Sequence, residues 1–108
     1  MPRSLEIYPE IYKHLFRSKY TALALLALIE NDGRLERPRL RELVDCRDFN
    51  KYVMVPLIDM GFIEVDQDRT KYPYRTYVNL TEKGKIVAEN VKRFVYEINE
   101  VKLPEILD

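Results

Sequence analysis

Residues 53–84 constrain the fold of this chain more than any other stretch. Their first part ends at Gly61, and glycine tolerates the left-handed backbone conformation that closes many helices. The β-prone residues Phe62 and Ile63 follow at once. The stretch therefore predicts a helix that passes directly into a strand.

Two short strands are predicted next, with a charged loop between them. Apolar and polar residues alternate on both sides of the loop, as in strands that bury one face. The alternating positions are Ile63 and Val65 before the loop, and Tyr74, Thr76, Val78 and Leu80 after it. The loop, residues 66–73, is longer and more charged than a tight turn requires, and Pro73 cannot donate a ladder hydrogen bond. We expect it to project, and we expect the Thr81 hydroxyl to cap a following helix.

A central helix is predicted upstream, over residues 19–31. Ser18 can act as its N-cap, and its core sequence TALALLALI is apolar almost all round. The turn residues Asn31, Asp32 and Gly33 end it. A short connector is predicted at residues 34–37.

Two short helices around a tight turn follow the connector. Pro38 can begin the first helix without losing a hydrogen bond. Its apolar residues share one face, and a second stripe follows the polar interruption at 45–48. The two stripes are Leu40, Leu43 and Val44, then Phe49, Val53 and Leu57. This arrangement predicts a helix-turn-helix.

Helix, strand, charged loop, strand and helix in this order resemble the second half of a winged-helix domain. The residues are similar to those of the multiple-antibiotic-resistance (MarR) and PadR-like regulators. The resemblance is to small DNA-binding proteins of an archaeal type. There the recognition helix ends in a pattern like L-x-x-x-G-hydrophobic-Ile and the wing ends in L-T-x-x-G. Here the patterns are Leu57, Gly61, Phe62 and Ile63, then Leu80, Thr81 and Gly84.

The resemblance implies an α+β, mainly helical fold: a winged helix-turn-helix with additional N- and C-terminal dimerisation helices. It also implies a recognition helix at about 48–60 and a wing at about 66–75. The expected function is sequence-specific binding of double-stranded DNA as a small dimeric transcriptional regulator. At 108 residues the chain has room for one domain, 1–108, with a core at about 18–84.

The terminal helices carry the predicted dimer contacts. An amphipathic helix at about 5–16 and a final helix at about 81–102 both present apolar residues at regular helical spacing. The predicted interface residues are Ile11, Leu15, Val87, Val91, Phe94, Ile98 and Val101. The final helix should overhang a compact domain, so its apolar seam needs a partner, and a second copy is the simplest one. The alternative is a seam that folds back onto its own domain.

Candidate DNA contacts fall into two groups. The wing supplies Arg69, Lys71 and Arg75, which on a projecting hairpin can reach phosphates or a minor groove. The second group surrounds the start of the recognition helix, where such proteins approach base edges. It comprises Arg37, Arg39, Arg47, Asn50, Lys51 and Tyr52, with Arg34 and Arg41 nearby. The alternative is that the loop is merely solvated, and that Arg39 and Arg41 pair with Glu36, Glu42 and Asp45.

The recognition helix departs from the pattern of these regulators. Tyr52, Val55, Pro56 and Ile58 stand where polar or basic residues are frequent, and Pro56 cannot donate to the Tyr52 carbonyl, so a kink is expected. The apolar face and the formal net charge of 0 favour an alternative function as a winged-helix protein-protein interaction module. A third interpretation is non-sequence-specific architectural binding of chromatin.

The position of the acidic residues should discriminate between these functions. Phosphate binding is implausible if the acidic residues share the face of the basic groups. DNA binding remains the preferred interpretation if the acidic residues lie on a different face. The residues concerned are Asp45, Asp48, Glu64, Asp66 and Asp68.

Nothing in the sequence indicates an enzyme, a metal site or a cofactor. His14 is the single histidine, and the motifs of nucleophile elbows and phosphate-binding loops are missing. Cys46 is the single cysteine, which excludes an internal disulfide, and we expect it to be buried rather than redox-active. With no signal peptide or membrane span recognisable, a cytoplasmic, nucleoid-associated protein is expected. A small-molecule effector is compatible with this class but no residue supports one.

Overall fold

The computed structural model describes residues 19–100, with the side chains of residues 19–97. Within these residues, four helices and three strands follow one another. A π-helical turn and the α-helical turn after it form one continuous segment, named α3 here. The elements are α1 (Lys19–Glu30), β1 (Arg34–Glu36), α2 (Arg37–Val44), α3 (Asn50–Met54 and Val55–Asp59), β2 (Ile63–Asp68), β3 (Arg75–Leu80) and α4 (Glu82–Glu100).

This is the predicted winged helix-turn-helix: α2 and α3 are the helix pair, and β2 and β3 with their connecting loop are the wing. The predicted helix at 5–16 lies outside the described residues, with its Ile11, His14 and Leu15. Val101 and the side chain of Ile98 lie outside them too. No helix within residues 19–100 is long and apolar enough to span a membrane.

The sheet is antiparallel, with strand order β1-β3-β2. Leu35 of β1 and Val65 of β2 both lie opposite Val78 of β3. The prediction of a connector at 34–37 was wrong, because β1 pairs with the free edge of β3. A strand of three residues is too short to show a period, so only its partner reveals it.

The wing strand β2 is also longer than predicted, since it continues to Asp68 and leaves a loop at 69–74. Asp66, Gln67 and Asp68 pair with β3 although they are polar. Their backbone groups make the ladder, and their side chains need no core.

Helix α1 lies at the centre of the core. Its Ala24, Leu25 and Leu28 are fully buried, and α2, α3 and α4 pack around it. The predicted stripe of α3 is confirmed, because its three residues are at most 3% exposed: Phe49, Val53 and Leu57. The same core takes up Phe62, Val78 and Ala88.

Three predicted core positions are wrong. In α2, Leu40 and Val44 face the core, whereas Leu43 is 44% exposed, because an eight-residue helix presents only one narrow stripe to α1. In the wing, Val65 and Tyr74 are also exposed. Val65 lies opposite the buried Val78 but on β2, an edge strand of the sheet, and Tyr74 lies in the loop before β3, so period-two alternation alone overestimated the number of buried positions.

The two halves of the recognised pattern meet in one place, the Gly61–Gly84 junction. Helix α3 ends with Gly61 at φ 75°, and the N–H groups of Gly61 and Phe62 donate to the carbonyls of Ile58 (2.9 Å) and Leu57 (3.0 Å). These two bonds form a Schellman motif, which satisfies the last carbonyls of the helix. The glycine cap is therefore confirmed.

Thr81 connects the other half of the pattern to this helix end. Its hydroxyl accepts the Gly84 N–H (2.9 Å), as an N-cap does, and donates to the Gly61 carbonyl (2.6 Å). Its own N–H donates to the Phe62 carbonyl (3.0 Å). A Cβ added to Gly84 would overlap the Phe62 carbonyl. Gly84 is thus required by close backbone contact, not by its φ angle.

Pro56 interrupts the regular geometry of α3, as predicted, but the irregularity is a π-helical turn instead of a kink. The turn lies at Asn50–Met54, and in it the Val55 N–H donates to the Asn50 carbonyl five residues earlier. The wider turn precedes the proline, which cannot supply the N–H that a regular α-helix would direct at the Tyr52 carbonyl.

Helix α4 packs along α1 with one side only. Ala88 is buried there, and Val87 and Val91 are half-buried against the same chain. Phe94 is 58% exposed and Ile86 is more exposed still. The predicted seam is thus divided between an intramolecular contact and an open face, and the dimer stays a prediction.

Candidate nucleic-acid interface

Three arginines gather at the start of α3 and form what we call the arginine cluster: Arg37, Arg41 and Arg47. They line a shallow depression of about 150 Å³ together with Asp48, Phe49 and Asn50. Arg37 and Arg41 are four residues apart, so helix α2 places them on one face. The turn after α2, with Asp45 in the left-handed conformation at φ 50°, brings Arg47 beside them.

Asn50, the predicted base-contacting residue, is in contact with this cluster. The Arg37 guanidinium donates to Asn50 Oδ1 (3.4 Å) and lies 5.9 Å from the centre of the Phe49 ring. The bond uses the amide oxygen and leaves the amide NH₂ of Asn50 for another partner. Asp48 Oδ1 accepts the Lys51 backbone N–H (3.4 Å), and the Lys51 ammonium lies 5.2 Å from the ring centre of Tyr52.

A larger open groove of about 810 Å³ separates α2 from the wing. Its wing side is formed by residues 73–76, and its α2 side includes Arg37 and Arg41. The groove and the depression thus share these two arginines. Recognition helix, α2 and wing therefore present one continuous surface.

The wing loop is held by short-range hydrogen bonds. Asp68 Oδ1 accepts both the Thr70 N–H (2.9 Å) and the Thr70 hydroxyl (2.6 Å), and these bonds lower the pKa of the Asp68 carboxyl. Arg69 Nε donates to Gln67 Oε1 (2.8 Å). Arg69 also lies 5.9 Å from the ring centre of Tyr74, which meets Tyr72 edge to face.

Two of the predicted DNA-contacting arginines are in ion pairs. Arg75 donates to Glu36 (2.8 Å), which raises the pKa of the guanidinium, and Arg39 pairs with Glu42 at 3.8 Å. Both pairs are solvent-exposed and so contribute little to stability. Arg39 therefore forms the surface ion pair with Glu42 that the sequence analysis gave as the alternative to DNA contact. Arg75 pairs with Glu36 across the sheet.

The other predicted cations differ from these two. These other cations are Arg37, Arg47, Lys51, Arg69 and Lys71. Within residues 19–97, no carboxylate lies within salt-bridge distance of any of these five side chains. Arg41, which the sequence analysis placed only near the group, belongs with them. Its spacing of four from Arg37 was the signal that could have included it.

The acidic residues whose position was to discriminate between the functions do not all lie on the basic surface. Asp45 lines the groove and Asp48 lines the depression, so these two share the basic surface. Asp66 instead binds Arg34 (3.0 Å) and Asn79 (3.0 Å) in the sheet, and the Asp68 carboxyl is engaged by Thr70. Glu64 is exposed on β2.

The outward face of α3 is apolar, as the sequence predicted. Tyr52, Val55 and Ile58 are between 44% and 46% exposed. Their spacing of three places them along one side of the helix. Cys46 is buried at the edge of the groove, and no group of three or more potential metal ligands is assembled in the described part of the chain.

Comparison with known proteins identifies solved structures of similar fold. No family model matches the sequence, and no curated protein matches it either. The chain is similar to ytfH from Salmonella typhimurium, named as a candidate transcriptional regulator, with a TM-score of 0.69 and 25% identity over 92% of this chain and 86% of that one.

Two structures of AbfR bound to DNA are also similar. The reduced form has a TM-score of 0.52 and 16% identity over 97% of this chain and 87% of AbfR. The overoxidised form has the same score and identity over 95% and 85%. These likenesses support the winged-helix regulator fold; at 16% identity, the AbfR comparisons concern the fold alone.

Proposed function

We propose that this protein is a small transcriptional regulator that binds double-stranded DNA. The start of α3 enters the major groove, and the wing contacts the backbone or the minor groove. In this proposal the chain is a single domain that acts as a homodimer, has no enzymatic activity and resembles MarR- and PadR-like regulators.

The observation that carries the proposal is the arginine cluster. Three guanidinium groups without a carboxylate partner among the described residues surround Asn50 at the N-terminal end of the recognition helix. Such groups can neutralise phosphates and fix the orientation of a helix in the major groove. The likeness to ytfH, named as a candidate transcriptional regulator, supports the same function, and AbfR, solved bound to DNA, shares the fold.

Base contacts are assigned to Asn50 and Lys51, with Tyr52 beside them. Because Arg37 occupies the Asn50 amide oxygen, the free NH₂ would donate to an acceptor on a base edge. Guanine N7 and O6 and thymine O4 are such acceptors in the major groove. Phosphate contacts are assigned to Arg37, Arg47, Arg69 and Lys71. Arg39 and Arg75 would first have to exchange their carboxylate partners for phosphate.

The dimer is assigned to the terminal helices. The exposed Phe94, with the half-buried Val87 and Val91, forms the described part of the interface, and Ile11, Leu15, Ile98 and Val101 would complete it. A two-fold axis would place the recognition helices about 34 Å apart, one turn of B-DNA. An inverted-repeat operator follows from this symmetry.

Fluorescence anisotropy with a labelled mixed-sequence duplex tests the proposal. We expect micromolar or tighter binding at about 50 mM salt, with a steep loss at about 200 mM. Arg47→Ala and Lys71→Ala should each weaken binding and reduce the salt slope by about one. Arg93→Ala, an exposed arginine on α4, is the matched control and should change neither. Absence of binding at the lower salt would refute the proposal.

The apolar face of α3 supports a second candidate function, docking of a partner protein on Tyr52, Val55 and Ile58. Val55→Ser distinguishes the two, because it removes apolar surface without adding a charge. It should weaken protein docking, whereas a protein that contacts DNA through polar and cationic side chains should keep its salt-dependent DNA affinity. Architectural binding without sequence preference would appear as equal affinity for unrelated duplexes.

A further inference from the structure

We propose that the tip of the wing is a base-stacking site, which binds a nucleobase that has left the helical stack. The inference rests on the proposed function, since it requires DNA on this surface. It concerns Tyr72 and Tyr74, neither of which the sequence analysis placed among the DNA contacts. The ligand class is duplex DNA with an unpaired base beside the site.

The exposure of Tyr72 is the first observation. Its side chain is 90% exposed, the highest value among the large apolar and aromatic side chains that the structure describes as exposed. Exposure of the apolar surface of an aromatic ring to water is unfavourable, and burial against a ligand would be favourable. A single exposed ring needs no explanation, but this one does not stand alone.

A second ring and a guanidinium support Tyr72. The rings of Tyr72 and Tyr74 have centroids 6.0 Å apart and an interplanar angle of 78°, an edge-to-face pair. The Arg69 guanidinium lies 5.9 Å from the centre of Tyr74 on the same loop. Tyr72 stays 90% exposed in this pair, so its ring is accessible to a planar ligand.

The loop presents these rings in a defined position. Asp68 holds Thr70 through two hydrogen bonds, and Gln67 holds Arg69 through one. Side chains that are already ordered lose less conformational entropy on binding. The wing tip therefore has the preorganisation of a binding element, although nothing in the core packs against it.

Charge selects a nucleic acid as the occupant. Residues 69–74, RTKYPY, contain two cations and no carboxylate, and the Asp68 carboxyl next to them is engaged by Thr70. Arg69 and Lys71 can contact the phosphates on either side of a base that stacks on Tyr72. Aromatic rings between cationic side chains are how proteins bind unstacked bases with little sequence preference.

A paired base in a regular duplex offers no free face to Tyr72. The wing should therefore favour DNA in which a base is unpaired, over the same DNA fully paired. Two duplexes of identical flanking sequence test this, one fully paired and one with a two-nucleotide bulge that contains the fluorescent base 2-aminopurine. Affinity is measured by anisotropy, and stacking by quenching of 2-aminopurine.

We expect the protein to bind the bulged duplex roughly tenfold more tightly, the effect of one stacked base, and to quench its fluorescence. Tyr72→Ala should abolish the preference and the quenching, and Tyr72→Phe should keep both because the ring remains. Lys71→Ala should weaken binding to both duplexes by the same factor. Since Tyr72 is almost fully exposed, all three variants should unfold at the wild-type temperature.

Equal affinity for the two duplexes, or a preference that survives Tyr72→Ala, would overturn the stacking site and leave the proposed function in place. Failure to bind either duplex at about 50 mM salt would instead overturn the proposed function, and the stacking site with it.

Discussion

The Gly61–Gly84 junction and the arginine cluster are built in opposite ways. At the junction, backbone groups approach so closely that no side chain fits at Gly84, and the Thr81 hydroxyl both donates and accepts. In the cluster, three guanidinium groups lie near one another, and none of them is within salt-bridge distance of a carboxylate in the described chain, although Asp48 lines the same depression. The first arrangement has its interactions completed within the chain, and the second leaves them open for a ligand.

This difference separates the expected effects of mutation. Changes at the junction should alter the free energy of unfolding, and they should affect DNA affinity only through the fraction of folded protein. Changes in the cluster should alter affinity and its salt dependence, while the free energy of unfolding stays within about 0.5 kcal/mol of the wild-type value.

The largest effect is expected for Gly84→Ala. The new Cβ would overlap the Phe62 carbonyl, and backbone must move because neither group is flexible. We expect a loss of about 3 kcal/mol or more in the free energy of unfolding. Urea denaturation followed by circular dichroism measures it.

Gly61→Ala is the matched control for this variant. Nothing lies within 4 Å of a Cβ at Gly61, but its φ of 75° is unfavourable for alanine. The conformational penalty alone should cost about 1 kcal/mol. If Gly84→Ala proved no more destabilising than Gly61→Ala, close contact would not be the reason for glycine at the junction.

The next effect is expected for Thr81→Ala. The variant loses the cap of α4 and the bond to the Gly61 carbonyl together. Loss of an N-cap costs about 1 kcal/mol, and the second bond should bring the total towards about 2 kcal/mol. Thr81→Ser retains the hydroxyl and should stay close to wild type in the same urea titration; equal losses for the two variants would exclude the hydroxyl as the cause.

A smaller effect is expected for Arg34, which belongs to neither region. Its guanidinium binds Asp66 (3.0 Å) and Asn79 (2.7 Å) and lies 4.0 Å from the ring centre of Tyr77. Both charged side chains are about half exposed, so solvent screening limits their pair to a fraction of the total. Arg34→Ala should cost about 1 kcal/mol in thermal or urea unfolding.

Arg39→Ala provides the comparison, because Arg39 has a single long contact to Glu42. It should change stability by no more than a few tenths of a kcal/mol. A loss at Arg39 equal to that at Arg34 would mean that the network around Tyr77 adds nothing to a simple surface ion pair.

The contrast between the two regions also explains what the sequence could predict. Gly61 and Thr81 were readable because each satisfies a local rule of helix ends, and local rules act within a few residues of the chain. Gly84 was indicated only by its place in the L-T-x-x-G pattern, because the Phe62 carbonyl that excludes a side chain there is distant in sequence. The stripe from Phe49 to Leu57 was readable for the same reason, since its period is a property of one helix. These features fixed the fold class.

The failures all depend on distant partners. Strand β1 exists because β3 has a free edge, Leu43 is exposed because α1 covers only one side of α2, and Val65 is exposed because β2 is an edge strand of the sheet. The ion pair between Arg75 and Glu36 joins residues 39 positions apart, which no local pattern indicates. Candidate binding residues were therefore predicted by type, while their pairing had to come from the structure.

The smallest effect is expected at the wing, for Thr70→Ala. The Thr70 hydroxyl and N–H both lower the pKa of Asp68, and the variant removes only the hydroxyl. The pKa of Asp68 should therefore rise part of the way towards its ordinary value, because the bond from the backbone N–H remains. Carbon-detected NMR of the Asp68 carboxyl across a pH titration measures the change, with Thr70→Ser as the control that keeps the lower pKa.

The sign of the accompanying stability effect follows from linkage. A carboxyl whose pKa is lower in the folded than in the unfolded chain stabilises the fold above its unfolded pKa, and this contribution disappears as the pH falls through the folded value. Wild type should thus lose slightly more stability than Thr70→Ala on acidification below about pH 4. A larger acid sensitivity in Thr70→Ala would show that hydrogen bonds within the loop do not hold the wing tip, and that the contrast between a locally ordered wing and a packed junction is misplaced.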